Sequence, residues 1–232
     1  MRIFFACWTL TALLTLQATA NELTEAVRSG NPEKVSQAIA AHPEQVNGGG
    51  DQTPLAEAAR VDKPLLVKML LSAGADVNGK DTLGSLQTAL HAAAYKGNPE
   101  VIQLLLDNHA DVNAKSRDGS TPLHMAAREH KPAAAKLLLE HGADPNAVDN
   151  PSGFTPLHVA ASYRPFAIWV GPEGEAAAKA KVENEYLEVA KSIVANKGDI
   201  NAKDKQGKTP MQLAIERKNQ AFADAIKAMG AQ

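Results

Sequence analysis

The sequence has only one cysteine and almost no net charge. The cysteine is Cys7, so the rest of the chain has no disulfide to form and must be stable through packing alone. The formal net charge is -2 at pH 7. The chain as a whole therefore lacks the excess of positive charge that drives most nucleic-acid binding. We expect neither DNA nor RNA as a partner.

The sequence also has no apolar run long enough to span a bilayer. The apolar run near the start extends from Ile3 to Leu16 behind Arg2, which is shorter than the about 20 residues of a transmembrane helix. The small-x-small triplet Ala18-Thr19-Ala20 follows, an order typical of a secretory signal peptide. We predict a signal peptide over residues 1–20 with cleavage after Ala20 and no stable membrane insertion afterwards. An uncleaved membrane anchor is the alternative.

The signal also indicates where the mature chain is located. It is short, has a single basic residue and has no twin arginine, which favours general bacterial export. We therefore expect a periplasmic protein, with eukaryotic secretion as the alternative.

What the chain does have is an internal repeat. A triplet that begins with threonine recurs at intervals of 35, 33, 34 and 54 residues, at Thr53-Pro54-Leu55, Thr88-Ala89-Leu90, Thr121-Pro122-Leu123, Thr155-Pro156-Leu157 and Thr209-Pro210-Met211. A second series keeps step with it, at Ala75-Asp76-Val77-Asn78, Ala110-Asp111-Val112-Asn113, Ala143-Asp144-Pro145-Asn146 and Gly198-Asp199-Ile200-Asn201. Periods of this length indicate a stacked repeat architecture.

Each unit predicts two helices and a turn. The threonine can cap a helix, and proline after it loses no hydrogen bond because that amide has no partner. Small residues such as Ala126-Ala127 follow, and Pro64, Pro99 and Pro132 then predict the start of a second helix. A glycine such as Gly142 suits a left-handed helix end, and the Asp-x-Asn segment with a following glycine suits a turn.

The repeat resembles the ankyrin repeat. The resemblance is carried by Thr121-Pro122-Leu123-His124-Met125-Ala126-Ala127 and by Leu137-Leu138-Leu139-Glu140-His141-Gly142-Ala143-Asp144-Pro145-Asn146. It implies an all-α solenoid of about six helix-turn-helix units with short β-turn tips. The predicted units are a capping repeat at 21–49, repeats at about 50–83, 84–117, 118–150 and 151–204, and a closing repeat at 205–232. His109 and Lys197 replace the helix-end glycine, which leaves the geometry of those two turns open.

The resemblance also gives the recurrent histidines a structural role. His91, His124 and His158 occupy the third helical position of successive units, where the histidine of an ankyrin-like unit ties the turn to the start of the helix. Side chains one unit apart lie about 10 Å from each other, which is too far for a shared zinc ion. Gly207-Lys208-Thr209 lacks the earlier glycine of a phosphate-binding loop. We therefore expect no metal, no cofactor and no catalytic residues.

Surfaces of this architecture commonly bind proteins on a concave face lined by first helices and turn tips. The family pattern places six candidate binding residues there: Tyr95, Lys96, Arg128, Glu129 and Tyr163 on first helices, and Arg117 on a tip. Tyr95 and Arg128 are favoured because tyrosine and arginine are over-represented at binding hot spots. The alternative is that each is a solvated surface side chain.

The 54-residue interval predicts an insert at 164–183 in the fifth unit, within which the second helix is extended at its N-terminal end and begins at about Glu173. Four of the seven aromatic residues after position 20 fall within 16 residues, at Phe154, Tyr163, Phe166 and Trp169. Phe166, Ile168 and Trp169 could form a partner-binding knob, since repeat insertions often mark a binding face. Equally, the insert could fold back and bury these rings against Val182 or Tyr186.

Two functions of different classes follow. The first is a non-catalytic scaffold, monomeric on its own, that binds one protein partner. Exported bacterial proteins of this type suggest either a toxin-immunity role or support of an oxidative-stress enzyme such as a catalase. The alternative is a small-ligand-binding protein or enzyme with a pocket between the 164–183 insert and the concave face.

Overall fold

The computed structural model describes residues 22–48, 52–82, 84–162 and 172–231, with the backbone alone for 172–183. The predicted signal peptide at 1–20 lies outside these residues. So do residues 163–171, which carry Tyr163, Phe166, Ile168 and Trp169.

The described residues form twelve α-helices and no strand, which confirms the all-α repeat prediction. The helices form six successive pairs: α1 Glu22–Arg28 and α2 Pro32–Ala41, α3 Pro54–Arg60 and α4 Pro64–Ser72, α5 Ala89–Lys96 and α6 Pro99–Asp107, α7 Pro122–Arg128 and α8 Pro132–Glu140, α9 Pro156–Ala161 and α10 Pro172–Ala195, α11 Pro210–Glu216 and α12 Gln220–Ala228. A short 3-10 helix, Pro43–Asn47, follows α2. We call the turn between one pair and the next a tip.

The helices begin where the sequence provides caps. Thr53 Oγ1 accepts the amide of Ala56 at 3.1 Å at the start of α3, and proline occupies the first helical position of most of the pairs' helices. Two second helices, α2 and α6, also begin with an asparagine cap that precedes the proline. Asn98 Oδ1 accepts the amide of Glu100 at 2.9 Å at the start of α6, so asparagine and proline act together.

The pairs stack in two layers. Each first helix packs against the first helix of the next unit, and each second helix against the next second helix. The first helices approach closely because their alanines are fully buried: Ala58, Ala59, Ala93, Ala94, Ala126, Ala127, Ala160 and Ala161. The second helices bury larger apolar side chains between the layers: Leu66, Leu70, Ile102, Leu105, Leu138 and Ile193. One continuous core results.

The two turns without glycine keep the shape of the others. His109 and Lys197 adopt left-handed backbone, with φ of 65° and 69°, beside 87° for Gly142. After α6 the amide of Ala110 donates to Leu105 O at 3.0 Å, as the amide of Ala143 does to Leu138 O after α8 at 3.0 Å. The helix-end geometry therefore survives, at the cost of backbone strain that glycine would not carry.

The lengthened second helix, α10, continues the stack after the insert. Its Tyr186 is 1% exposed, and the tyrosine ring lies 5.9 Å from the His130 ring and 5.7 Å from the Phe222 ring between centroids. Val182, the other residue considered as a packing site for the insert, lies outside the residues whose side chains are described.

Candidate functional site

The recurrent histidines join neighbouring units. The Thr88 amide donates to His91 Nδ1 at 3.2 Å, so the opposite ring nitrogen, Nε2, donates to Ser120 O of the next unit at 3.0 Å. The rings of His124 and His158 make the same pair of bonds, with Phe154 O and Lys208 O as the acceptors, both at 3.0 Å. Each histidine thus caps its own helix and binds the following tip.

Burial keeps these rings neutral. It lowers the pKa of His91 to about 4, against hydrogen bonding to Ser120 O that acts in the other direction. Burial likewise lowers the pKa of His124 and of His158. A neutral ring is needed here because Nδ1 must accept a hydrogen bond while Nε2 donates one. These side chains therefore serve the fold, and their spacing does not bring them together as ligands.

Four asparagines make a second connection between units, which we call the asparagine ladder: Asn47, Asn78, Asn113 and Asn146. Asn113 Nδ2 donates to Gly142 O at 3.1 Å, and its Oδ1 accepts the amide of Asp144 at 2.8 Å. Asn146 makes the same two bonds with Lys197 O and the Asp199 amide, at 3.1 and 2.6 Å. Asn146 and Lys197 are 51 residues apart because the insert lies between them, yet the ladder still joins their two units.

Among the described residues, four tips contain an acidic side chain whose carboxylate accepts hydrogen bonds within the protein. Asp149 Oδ1 accepts the amides of Ser152 and Phe154 at 3.1 and 3.0 Å, and Asp204 Oδ1 accepts two tip amides in the same way. Asp118 accepts Ser116 Oγ at 2.5 Å and Ser120 Oγ at 3.1 Å. Burial, which alone would raise the pKa of Asp118, is outweighed by these hydrogen bonds and by the nearby charge of Arg128, so the pKa is lowered.

The surface of α1, α3, α5, α7, α9 and α11 with the tips is here called the first-helix face. One side-chain register on it holds Arg28, Arg60, Tyr95 and Arg128 in successive units. The residue three positions earlier differs from unit to unit: it is Glu25, Glu57, Ala92 and Met125. The stacking residues repeat, whereas this register does not.

In the second unit the register forms a closed ionic cluster. The Glu57 side chain is 1% exposed, and it accepts Arg28 Nε at 3.2 Å and Arg60 Nη2 at 2.5 Å. A buried carboxylate is tolerated only when such partners satisfy it. Arg28 and Arg60 are thereby engaged within the protein.

In the fourth unit the corresponding arginine has no such carboxylate. Arg128 Nη1 lies 3.9 Å from Met125 Sδ. Within the described ranges, neither Arg128 nor Arg117 has a carboxylate within the 4.0 Å of an ion pair. Both line a cleft of about 370 Å³ between the tips and α7, whose floor includes the buried Met125.

The other predicted contact residues are scattered rather than clustered. Tyr95 is 46% exposed on α5 and does not line the cleft. Lys96 is exposed at the end of α5, and Glu129 is half-buried at the end of α7. Tyr163, Phe166, Ile168 and Trp169 lie outside the described residues. The structure thus brings together Arg117 and Arg128, which sequence reasoning named separately, and adds Met125, which it used only as part of the repeat motif.

Comparison with protein families agrees with this geometry. The family model described as ankyrin repeats (3 copies) matches residues 23–116, 55–149 and 90–169, which together span 23–169 of the 232 residues. The chain belongs to the ankyrin-repeat family. No curated protein matches it in sequence. Ankyrin repeats generally mediate protein–protein interaction, and the family is typically non-enzymatic.

The ankyrin architecture continues beyond the matched segment. The last match ends at residue 169, yet α11 begins with the same cap, in which the Thr209 amide donates to Gln212 Oε1 at 2.9 Å. Among the described residues there is no group of three or more acidic, histidine or cysteine side chains placed to hold a metal ion. No helix in the same ranges has the length and apolar character to cross a membrane.

Proposed function

We propose that the mature chain is a non-catalytic adaptor or inhibitor in the bacterial periplasm that binds one protein partner through the first-helix face. The observation that carries this proposal is the cleft beside α7. Arg117 and Arg128 flank it without an ion-pair partner in the described residues, and Met125 lies in its floor. Arginines of this kind, next to apolar surface, are typical of binding hot spots.

The biological role is proposed in two versions. A toxin-immunity protein would occupy the active surface of a toxin, and a supporting protein would hold an oxidative-stress enzyme such as a catalase. The genes beside this one distinguish the two, since a toxin or a catalase gene would stand next to it. Both versions require one partner and a preformed surface.

The first test captures the partner. Tagged mature protein, residues 21–232, is purified with its bound proteins from its own cell envelope. Tyr95→Ala with Arg128→Ala should remove the partner without changing the melting temperature, because both side chains are exposed. Lys68→Ala with Lys136→Ala is the matched control on the second helices and should retain it. Capture that survives the first pair and fails with the second contradicts the proposal.

The periplasmic location has its own test. Periplasmic extract should contain a chain that begins at Asn21, as found by intact mass and N-terminal sequencing. A chain found in the cytoplasm with residues 1–20 attached would remove the export part of the proposal.

The insert is tested separately because 163–171 lie outside the described residues. Phe166→Ala with Trp169→Ala should release the partner at unchanged thermal stability if these rings form a knob. A large loss of stability with the partner retained shows instead that they are packed within the protein.

The alternative class, a ligand-binding protein or enzyme, makes a different prediction. Its pocket would lie between the 164–183 insert and the first-helix face. A metabolite set should then raise the melting temperature of the isolated protein, whereas an adaptor responds only to its protein partner.

A further inference from the structure

Three tips of the ankyrin stack bury one acidic side chain each, and basic side chains near them are exposed. Asp81, Asp149 and Asp204 are 5%, 8% and 7% exposed, and their carboxylates accept amides of the tips or of the adjacent helix start. Lysines and arginine in the same tips are exposed: Lys80, Lys115, Arg117, Lys203 and Lys205. The same tips also carry exposed aspartates, at Asp76, Asp111, Asp144 and Asp199, so the tips as a whole are not basic and a site for a negative charge depends on the cleft beside Arg117 and Arg128.

Among the described residues, the exposed cations of the tips, Lys80, Lys115, Arg117, Lys203 and Lys205, form no ion pair with a carboxylate. Lys80 Nζ donates to Lys115 O at 2.9 Å, and Lys205 Nζ donates to Asn150 O. Both acceptors are backbone carbonyls, so the positive charge is positioned but not cancelled. The amide of Arg117 donates to Ser85 O at 2.8 Å, which fixes this tip against the preceding one.

Arg60 and Arg128 occupy the same register, but only Arg60 has a carboxylate three positions before it. Arg60 has the buried Glu57 three positions before it and is ion-paired. Arg128 has Met125 in that position. Asp118 also lines the cleft, and the charge of Arg128 contributes to the lowered pKa of Asp118, but the Asp118 oxygens already accept hydrogen bonds from Ser116 and Ser120.

We infer that the cleft binds an acidic segment of the partner protein, with an aspartate or glutamate side chain between Arg117 and Arg128 and an adjacent apolar side chain against Met125. Guanidinium groups bind carboxylates through two parallel hydrogen bonds. A cleft of about 370 Å³ accommodates side chains of that size. This inference rests on the proposed function and names the chemistry of the partner.

The test uses a phage-displayed library of linear peptides selected on the purified mature protein. We expect the enriched peptides to share an aspartate or glutamate next to an apolar residue. One enriched peptide is then synthesised with both ends blocked, so that only side-chain carboxylates remain. Replacing its acidic residue by the corresponding amide should weaken binding at least about tenfold in fluorescence anisotropy.

Matched variants localise the effect to the cleft. Arg117→Gln with Arg128→Gln should weaken binding of the acidic peptide by a similar factor. The same variant should not weaken binding of the amide peptide further, as expected of a double-mutant cycle when the acidic residue contacts these arginines. Lys68→Gln with Lys136→Gln removes the same charge from exposed second-helix side chains and should leave the affinity unchanged. Equal losses in both variants would show long-range attraction instead of a site and would overturn the inference.

Other outcomes also overturn it. Enriched peptides without acidic residues, no enrichment at all, or an oligonucleotide that binds as tightly as the acidic peptide would each exclude an acidic protein segment as the occupant. The proposed function fails differently. It falls if the envelope yields no partner, whereas a captured partner that stays bound to the Arg117→Gln, Arg128→Gln variant removes the acidic-segment inference alone.

Discussion

The connections between units and the first-helix face differ in how strictly they repeat. The asparagine ladder makes the same two hydrogen bonds at each of its four positions. On the first-helix face, Arg60, Tyr95 and Arg128 occupy one register with different neighbours. Stacking requires the same side chains in every unit because every unit presents the same backbone groups to the next. The first-helix face has no such requirement, so its residues can be selected for a partner.

The largest expected effect is a loss of stability at acid pH, caused by the buried histidines that cap the helices. Burial lowers the pKa of His91 from 6.5 to about 4. Between these two pH values the unfolded chain therefore binds a proton at His91 that the folded chain does not. The stabilisation is complete above pH 6.5 and is lost as the pH falls to about 4. At pH values below about 4, this difference in proton binding at His91 alone should lower the free energy of unfolding by about 3 kcal/mol.

Replacing His91 by glutamine checks this origin. Gln212 occupies the same position in the sixth unit and accepts the threonine amide without titrating. His91→Gln should therefore reduce the loss of stability between pH 6.5 and about 4, as measured by urea unfolding at several pH values, while the buried His124 and His158 still contribute to it. An unchanged slope would show that His91 does not cause it.

The next effect concerns the asparagine ladder. Asn113→Ala removes one donor and one acceptor that join two units, and should lower the free energy of unfolding by about 1 to 2 kcal/mol. It adds no titrating group, so the loss should be the same at each pH. Asn108→Ala is the control, because Asn108 Nδ2 bonds only to Leu104 O of its own helix. Equal losses of the free energy of unfolding in the two variants would show that the ladder does not stabilise the contact between units.

A smaller effect of opposite sign is expected at the turns without glycine. His109→Gly and Lys197→Gly should each raise the free energy of unfolding by about 1 kcal/mol, because the left-handed backbone there strains any residue with a Cβ. Gly142→Ala should lower it by a similar amount although no atom would meet the added Cβ. Gly48→Ala is the control, since Gly48 has φ of -154° and equally open surroundings. A stability change at Gly48 that matched that at Gly142 would rule out backbone strain.

The smallest expected effect on stability lies on the first-helix face. Tyr95→Ala and Arg128→Ala should each change the free energy of unfolding by less than about 0.5 kcal/mol, because both side chains are exposed. Urea unfolding measures this. If either variant lowered the free energy of unfolding as much as Asn113→Ala does, the first-helix face would contribute to stability as strongly as the connections between units.

The sequence was sufficient to predict the fold because its signals are local and repeated. A threonine, a proline and a pair of alanines recur at nearly fixed intervals, and each acts through the helix in which it lies. The end of α6 was harder to predict, because His109 gives no sign that it can adopt the left-handed backbone. In the folded chain this conformation accompanies the hydrogen bond from the Ala110 amide to Leu105 O.

The contacts between units were less accessible from sequence. The Asp-x-Asn segment predicted a turn, but the asparagine bonds to the next unit about 30 residues away, which periodicity alone does not reveal. The buried Glu57 was missed because its partners, Arg28 and Arg60, belong to two units. The cleft was missed for the same reason: Arg117 lies on a tip and Arg128 at a helix end, and only the stacking brings them together.

The central claim is that one side of this ankyrin stack binds a protein while the other sides hold the stack together. Hydrogen–deuterium exchange of the captured complex tests it most directly. We expect added protection at Ser85, Arg117 and the end of α7, with the second helices α4, α6 and α8 unchanged. Protection confined to those second helices would contradict it.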